Sequence, residues 1–91
     1  MNYLLTIVVP LYNEEENLLR VETAMLDYLS VAAAKSKILF VNDGSNDGSL
    51  AIVQDICARN TDFEYISFEK NCGLSAAIKA GFDYTQTELV G

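Results

Sequence analysis

Leu39-Phe40-Val41-Asn42-Asp43-Gly44-Ser45-Asn46-Asp47-Gly48-Ser49 is the stretch whose reading decides the fold. An apolar run stops abruptly at a polar, glycine-bearing turn, and cap-forming residues then open a helical pattern. Such a run reads as a buried strand that delivers one carboxylate, Asp43, to the mouth of an α/β sheet. The flanking segments must then supply the rest of the sheet and a use for the carboxylate.

Upstream, Leu4 to Val9 is a second apolar run, rich in β-branched residues. A near-continuous apolar run of this length fits a strand covered on both faces. Pro10 is expected to stop it, because proline cannot donate to a ladder. Leu11-Tyr12-Asn13 then reads as a loop, with Asn13 as the N-cap of a helix from about Glu14 to Ala33. Glu14, Glu15 and Glu16 suit the positive end of that helix. Leu18, Val21, Met25, Leu29 and Ala32 recur at helical spacing and form its apolar stripe.

Downstream, Ile52, Val53, Ile56 and Cys57 mark the buried side of a second helix. Phe63 to Phe68 alternates apolar and polar residues, so this third strand is expected to have one less covered face. A third helix follows from Leu74 to Tyr84, with Leu74, Ala77, Ile78, Gly81 and Phe82 along one side. Its small residues permit close packing on a sheet. Glu88 to Gly91 reads as the opening of a fourth strand. Strands alternating with helices predict a parallel sheet with helices on both faces, an α/β three-layer sandwich. Ligands of such sheets bind outside the carboxyl ends of the strands. That places Tyr12-Asn13-Glu14, Asn42-Asp43-Gly44-Ser45 and Glu69-Lys70-Asn71 on one rim.

Ninety-one residues make at most one domain. Six basic against thirteen acidic residues, a net charge of −7, argue against nucleic acid or an anionic membrane surface as the main partner. Cys57 and Cys72 match no zinc spacing and there is no histidine. They read as free thiols of a reducing compartment. No apolar run is long enough for a membrane-spanning helix, and the N-terminus lacks the basic opening of a signal peptide.

The loop after the first strand, Pro10-Leu11-Tyr12-Asn13-Glu14-Glu15-Glu16, has no glycine and three carboxylates. A G-x-G-x-x-G turn that brings backbone amides to a pyrophosphate is therefore excluded. The rim offers an aromatic ring, Tyr12, that can stack on a planar base. Its carboxylates Glu14 and Asp43 can accept from a base N–H or a sugar hydroxyl. Taken singly each has a plainer explanation: Tyr12 packing over its own loop, Glu14 favouring the helix dipole, Asp43 capping its own turn.

In combination the spacing is specific. Val8-Val9-Pro10-Leu11-Tyr12-Asn13-Glu14-Glu15-Glu16-Asn17-Leu18 resembles the opening of the family 2 glycosyltransferases, which have the GT-A fold and use nucleotide-diphosphate sugars. Val41-Asn42-Asp43-Gly44-Ser45-Asn46-Asp47-Gly48-Ser49 resembles that family's second motif. Asn71-Cys72-Gly73, with Ala76, Ala77, Gly81 and Phe82, resembles its third. The resemblance implies a nucleotide-binding set of Pro10, Tyr12, Glu14, Asp43, Gly44, Ser45 and Asn71, with Tyr12 near the base and Asp43 hydrogen-bonded to it. Asp47 is expected to cap a helix. The Asn-Glu-Glu-Glu-Asn form of the first motif is similar to the branch that glycosylates polyprenyl phosphates, such as dolichyl-phosphate mannose synthases and bactoprenol glucosyltransferases.

The same resemblance implies a UDP- or GDP-sugar as donor and a polyprenyl phosphate or cell-surface polysaccharide as acceptor. It implies a cytoplasmic location, at the membrane face for the whole enzyme. A divalent cation, Mg or Mn, would be held by a D-x-D motif after the fourth strand. Residues 1–91 are thus expected to be the N-terminal, nucleotide-binding part of a GT-A domain, truncated before D-x-D. This part would contain no catalytic residue and no metal ligand, would be inactive alone, and would self-associate through its unfinished sheet. The competing reading is a non-enzymatic, receiver-like binding or oligomerisation module. A receiver, however, needs a carboxylate at the end of strand one, where this chain has Pro10.

Overall fold

Four strands form one parallel sheet in a computed structural model that describes residues 3–85, 87 and 89–91. They are β1 (Leu5–Leu11), β2 (Ser36–Asn42), β3 (Phe63–Ser67) and β4 (Leu89–Val90), in the order β3-β2-β1-β4. Between them run α1 (Leu18–Val31), α2 (Ser49–Arg59) and α3 (Leu74–Tyr84). The chain steps outward from β1 to β2 to β3, then returns to the far side of β1. A crossover of constant hand therefore puts α1 and α2 on one face of the sheet and α3 on the other.

The two faces of β2 show this directly. Ile38 and Phe40 join Leu18 of α1 and Val53 and Ile56 of α2 in one core, with Val21, Met25 and Leu29 packed against it. Leu39 and Val41 join Ala77 of α3 in the other, with Val8, Ile66 and Phe68 alongside. All four central residues of β2 are fully buried, which is why its sequence is a continuous apolar run. Each contributes roughly 1.5–3 kcal/mol of burial. Gly81 lets α3 sit close: a Cβ there would lie 2.5 Å from Val8 Cγ1 and 3.2 Å from Val41 Cγ2.

Three expectations need correction. β1 does not stop at Pro10 but continues to Leu11, paired with β2 up to Leu11↔Asn42. Even-numbered residues of β1 face β4, as in Val8 N–H to Gly91 O and Gly91 N–H to Thr6 O; the odd-numbered Leu11 faces β2, accepting from Asp43 N–H. The missing N–H of Pro10 lies on the β4 side, so the β1–β2 ladder loses nothing. Helix α1 starts at Leu18 rather than Glu14, and Asn13 is not its N-cap. Asn13 instead has a left-handed backbone, φ 53°, because its loop is drawn toward the turn after β2. Leu74 and Phe82 do not face the core: they are 64% and 49% exposed. Glu88, placed in the fourth strand from sequence, lies outside the described residues.

The register sets the rim. Leu11, Asn42 and Ser67 lie side by side across β1, β2 and β3. The three following loops therefore start level with one another, at the carboxyl edge of the sheet. Helix α1, which leaves β1, and helix α3, which leads into β4, lie on opposite faces of the sheet, and between such neighbouring strands an α/β sheet opens a crevice.

Candidate nucleotide site

A cleft of about 370 Å³ opens at this edge, lined by Pro10, Leu11, Tyr12, Glu14, Asp43, Asn71, Gly73, Leu74 and Ala77. Strand β1 supplies one wall, the β3–α3 loop and the start of α3 the other, and Asp43 lies between them. Two carboxylates line the cleft and no basic side chain does. Its electrostatics suit hydrogen-bond donors and a planar ring rather than a bare diphosphate.

Asp43 is 5% exposed, and its carboxylate is tied to the β3–α3 loop. Oδ1 accepts the Cys72 N–H at 2.6 Å. Oδ2 accepts the Gly73 N–H at 3.0 Å and the Asn71 side-chain amide at 3.1 Å. The same amide donates to the Asp43 backbone carbonyl at 3.1 Å. A carboxylate presents about four lone-pair sites, so one on Oδ1 is left over by these three bonds. Gly44 allows the close approach. Its φ is +69°, and a Cβ there would overlap the backbone of Lys70 and Asn71.

The first two loops interlock. Asn13 N–H donates to Ser45 Oγ (2.9 Å), Glu14 N–H to Ser49 Oγ (2.9 Å) and Glu15 N–H to Asp47 Oδ2 (3.4 Å). In return, Asn46 N–H donates to Asn13 Oδ1 (2.8 Å) and Gly48 N–H to Glu15 Oε2 (3.2 Å). The amides that would grip a pyrophosphate in a glycine-rich loop are thus already taken. Asn46 Nδ2 lies 3.3 Å from the Tyr12 hydroxyl and steadies the ring at the cleft mouth. Asp47 is not the N-cap of α2, which is Gly48; it stands one residue earlier, where its Oδ1 accepts the Ser49 N–H at 2.9 Å. Contact with the Ser49 side chain, then the N–H groups of Ser49 and Glu15, hold its carboxyl below the usual range.

Of the residues expected to bind nucleotide, the structure brings Pro10, Tyr12, Glu14, Asp43 and Asn71 together in the cleft. Gly44 and Ser45 are not in its lining. Ser45 is turned away, donating to Asn42 Oδ1 at 2.5 Å and accepting from Asn13, and Gly44 faces the β3–α3 backbone. Both shape the turn rather than the cleft surface. Leu11, Gly73, Leu74 and Ala77 also line the cleft, although the nucleotide-binding set expected from the sequence did not include them. Gly73 could have been found, since it lies two residues from Asn71 in the same motif; nothing marked exposed Leu74. Lys70 is outside the lining, and Lys79 pairs with Asp83 on the surface at 2.9 Å. Both cysteines are free. Burial first, then the Glu64 carboxylate, pushes the Cys57 thiol up to about 11.

The family model for glycosyl transferase family 2 matches residues 6–91. The chain belongs to this family. It is 37% identical over 87 residues to the putative glycosyltransferase CsbB of Bacillus subtilis, covering 96% of this chain and 26% of that protein. It is 35% identical over 91 residues to an undecaprenyl-phosphate 4-deoxy-4-formamido-L-arabinose transferase of Aeromonas hydrophila, covering 96% of this chain and 27% of that protein. It is 29% identical over 86 residues to a bactoprenol glucosyl transferase of Shigella phage SfX, covering 94% and 28%. The chain therefore spans about a quarter of the length of these curated relatives. Its fold superposes on a mannosyltransferase of Pyrobaculum calidifontis, solved with GDP-Man and Mn2+. The TM-score is 0.74 at 20% identity, over 99% of this chain and 26% of that one. The fold is thus that of part of the GT-A architecture. No helix among the described residues is long and apolar enough to cross a membrane.

Proposed function

We propose that this family 2 chain holds the nucleoside of a UDP- or GDP-sugar, and that the whole protein transfers the sugar to an acceptor. One observation carries the reading: Tyr12 and a nearly buried Asp43 with one uncommitted lone pair border the same cleft at the sheet's carboxyl edge. Tyr12 stacks on the base, Asp43 Oδ1 accepts a ring N–H, and Glu14 accepts from a sugar hydroxyl. The names of two relatives support a polyprenyl-phosphate acceptor. That acceptor and nucleotide-sugar chemistry support a cytoplasmic location at the membrane face.

Among the described residues no group of three or more His, Cys, Asp or Glu side chains stands where it could hold a metal ion. The Mn2+ of the structural neighbour supports a divalent cation, Mg or Mn, in the whole enzyme. In this reading the part of this chain's residues is to bind and orient the nucleoside. The receiver-like alternative fits poorly, since the Asp43 carboxylate is covered by the β3–α3 loop and bonded by three N–H donors.

Calorimetric titration tests the reading. UDP or GDP is expected to bind at least about tenfold tighter than ADP, whose adenine offers an acceptor at the ring position facing Asp43 and leaves two acceptors unpaired. No binding by either nucleotide, or equal binding of ADP, would overturn it.

Self-association is part of the same reading. Val31 is 81% exposed and Leu19 60% on α1, while Leu74 and Phe82 are bare on α3. Apolar surface of this kind drives association. Light scattering is expected to show species heavier than one chain, and a single-chain mass throughout a concentration series would contradict it.

A further inference from the structure

Asn71 borders the cleft, yet its amide nitrogen is turned away from any ligand. Nδ2 lies 3.1 Å from the Asp43 carbonyl oxygen and 3.1 Å from Asp43 Oδ2. Both neighbours are acceptors, which fixes the orientation of the amide. An amide nitrogen has two hydrogens, and these two bonds use both. With Gly73 N–H also on Oδ2, that oxygen is saturated. Oδ1 has one partner, Cys72 N–H at 2.6 Å.

We infer that Asn71 is a positioning residue: it saturates Asp43 Oδ2, fixes the plane of the carboxylate, and leaves Oδ1 as the single acceptor presented to a ring N–H of the bound base. This rests on the nucleoside reading above and deepens it. It also changes the expected role of Asn71, which acts through Asp43 rather than by touching the nucleotide. A displaced amide would free Oδ2 and let the carboxylate turn, so the base edge would meet an acceptor of undefined direction.

The test separates a direct contact from an indirect one by methylating the ring nitrogen of the ligand. UDP is compared with N3-methyl-UDP, or GDP with N1-methyl-GDP, according to which parent nucleotide the protein binds. Wild type is expected to prefer the unmethylated form by about tenfold or more, because methylation removes the N–H that Asp43 accepts. In Asn71→Ala the preference is expected to fall to about twofold. In Asn71→Asp, which keeps the shape but sets an acceptor against Oδ2, it is expected to vanish.

If Asn71 touched the nucleotide itself, both forms would weaken together and the ratio would stay at the wild-type value. A purely structural role would lower the melting temperature and likewise leave the ratio intact. An unchanged ratio in folded Asn71→Ala or Asn71→Asp overturns the inference. Should neither fold, Asn71→Ser retains a donor and must show an intermediate ratio; the full wild-type ratio there is equally contrary. Failure of wild type to bind either parent nucleotide overturns the underlying nucleoside reading, a distinct result.

Discussion

Asp43→Ala is expected to lower the free energy of unfolding by about 2–4 kcal/mol and to remove measurable nucleotide binding. The stability loss follows from what the carboxylate holds. Three N–H donors from three consecutive residues, Asn71, Cys72 and Gly73, converge on it. Alanine leaves them without an acceptor, and a donor stripped of its partner costs about 1–3 kcal/mol where water cannot replace it. Asn71 and Cys72 are exposed, so water recovers part of the loss, which keeps the total below the simple sum. Asp43→Asn is expected to be milder in volume but still harmful, since its NH2 group must face at least one N–H donor. Urea midpoints of the two variants, read beside titration with UDP and GDP, check both parts. Should Asp43→Ala unfold at the wild-type midpoint, the carboxylate is not what holds the β3–α3 loop.

The sequence made the architecture readable because burial leaves a local mark. A strand covered on both faces must be apolar at every position, as Ile38 to Val41 are, and α3 begins and ends where its pattern does. The order of elements then determined the sheet edge on which Tyr12, Asp43 and Asn71 meet. Pairwise tertiary bonds leave no such mark. Glu14 N–H finds Ser49, 35 residues away, and Asn13 N–H finds Ser45, 32 away. Those bonds pull the first loop out of helical geometry, so α1 starts a turn late despite good capping residues. Pro10 misled for a related reason. Its effect on a strand depends on which neighbour its missing N–H would have faced, and that is a property of the sheet. Gly44 and Ser45 were visible as members of a motif. That neither lines the cleft depends on a left-handed turn whose direction shows only in three dimensions.

Gly44→Ala is the second substitution expected to have a large effect, and its cause can be divided. Gly44 has φ +69°, a conformation that costs an alanine about 1–2 kcal/mol. An added Cβ would also overlap Asn71 N and Lys70 C and lie 2.8 Å from Lys70 O. Those are backbone atoms, so relief requires moving the β3–α3 loop, and the same loop carries the donors to Asp43. The combined loss is expected to be about 3 kcal/mol or more, with nucleotide binding lost alongside. Gly44→Asn separates the two causes. Asparagine tolerates the left-handed region, as Asn13 does in this chain at φ 53°, but it brings the same Cβ. If overlap with the loop dominates, denaturation will find Asn no better than Ala. If backbone strain dominates, Asn will restore most of the stability and the binding. The close approach of Gly44 to Lys70 and Asn71 predicts the first outcome, because no choice of side chain can remove a collision that begins at Cβ.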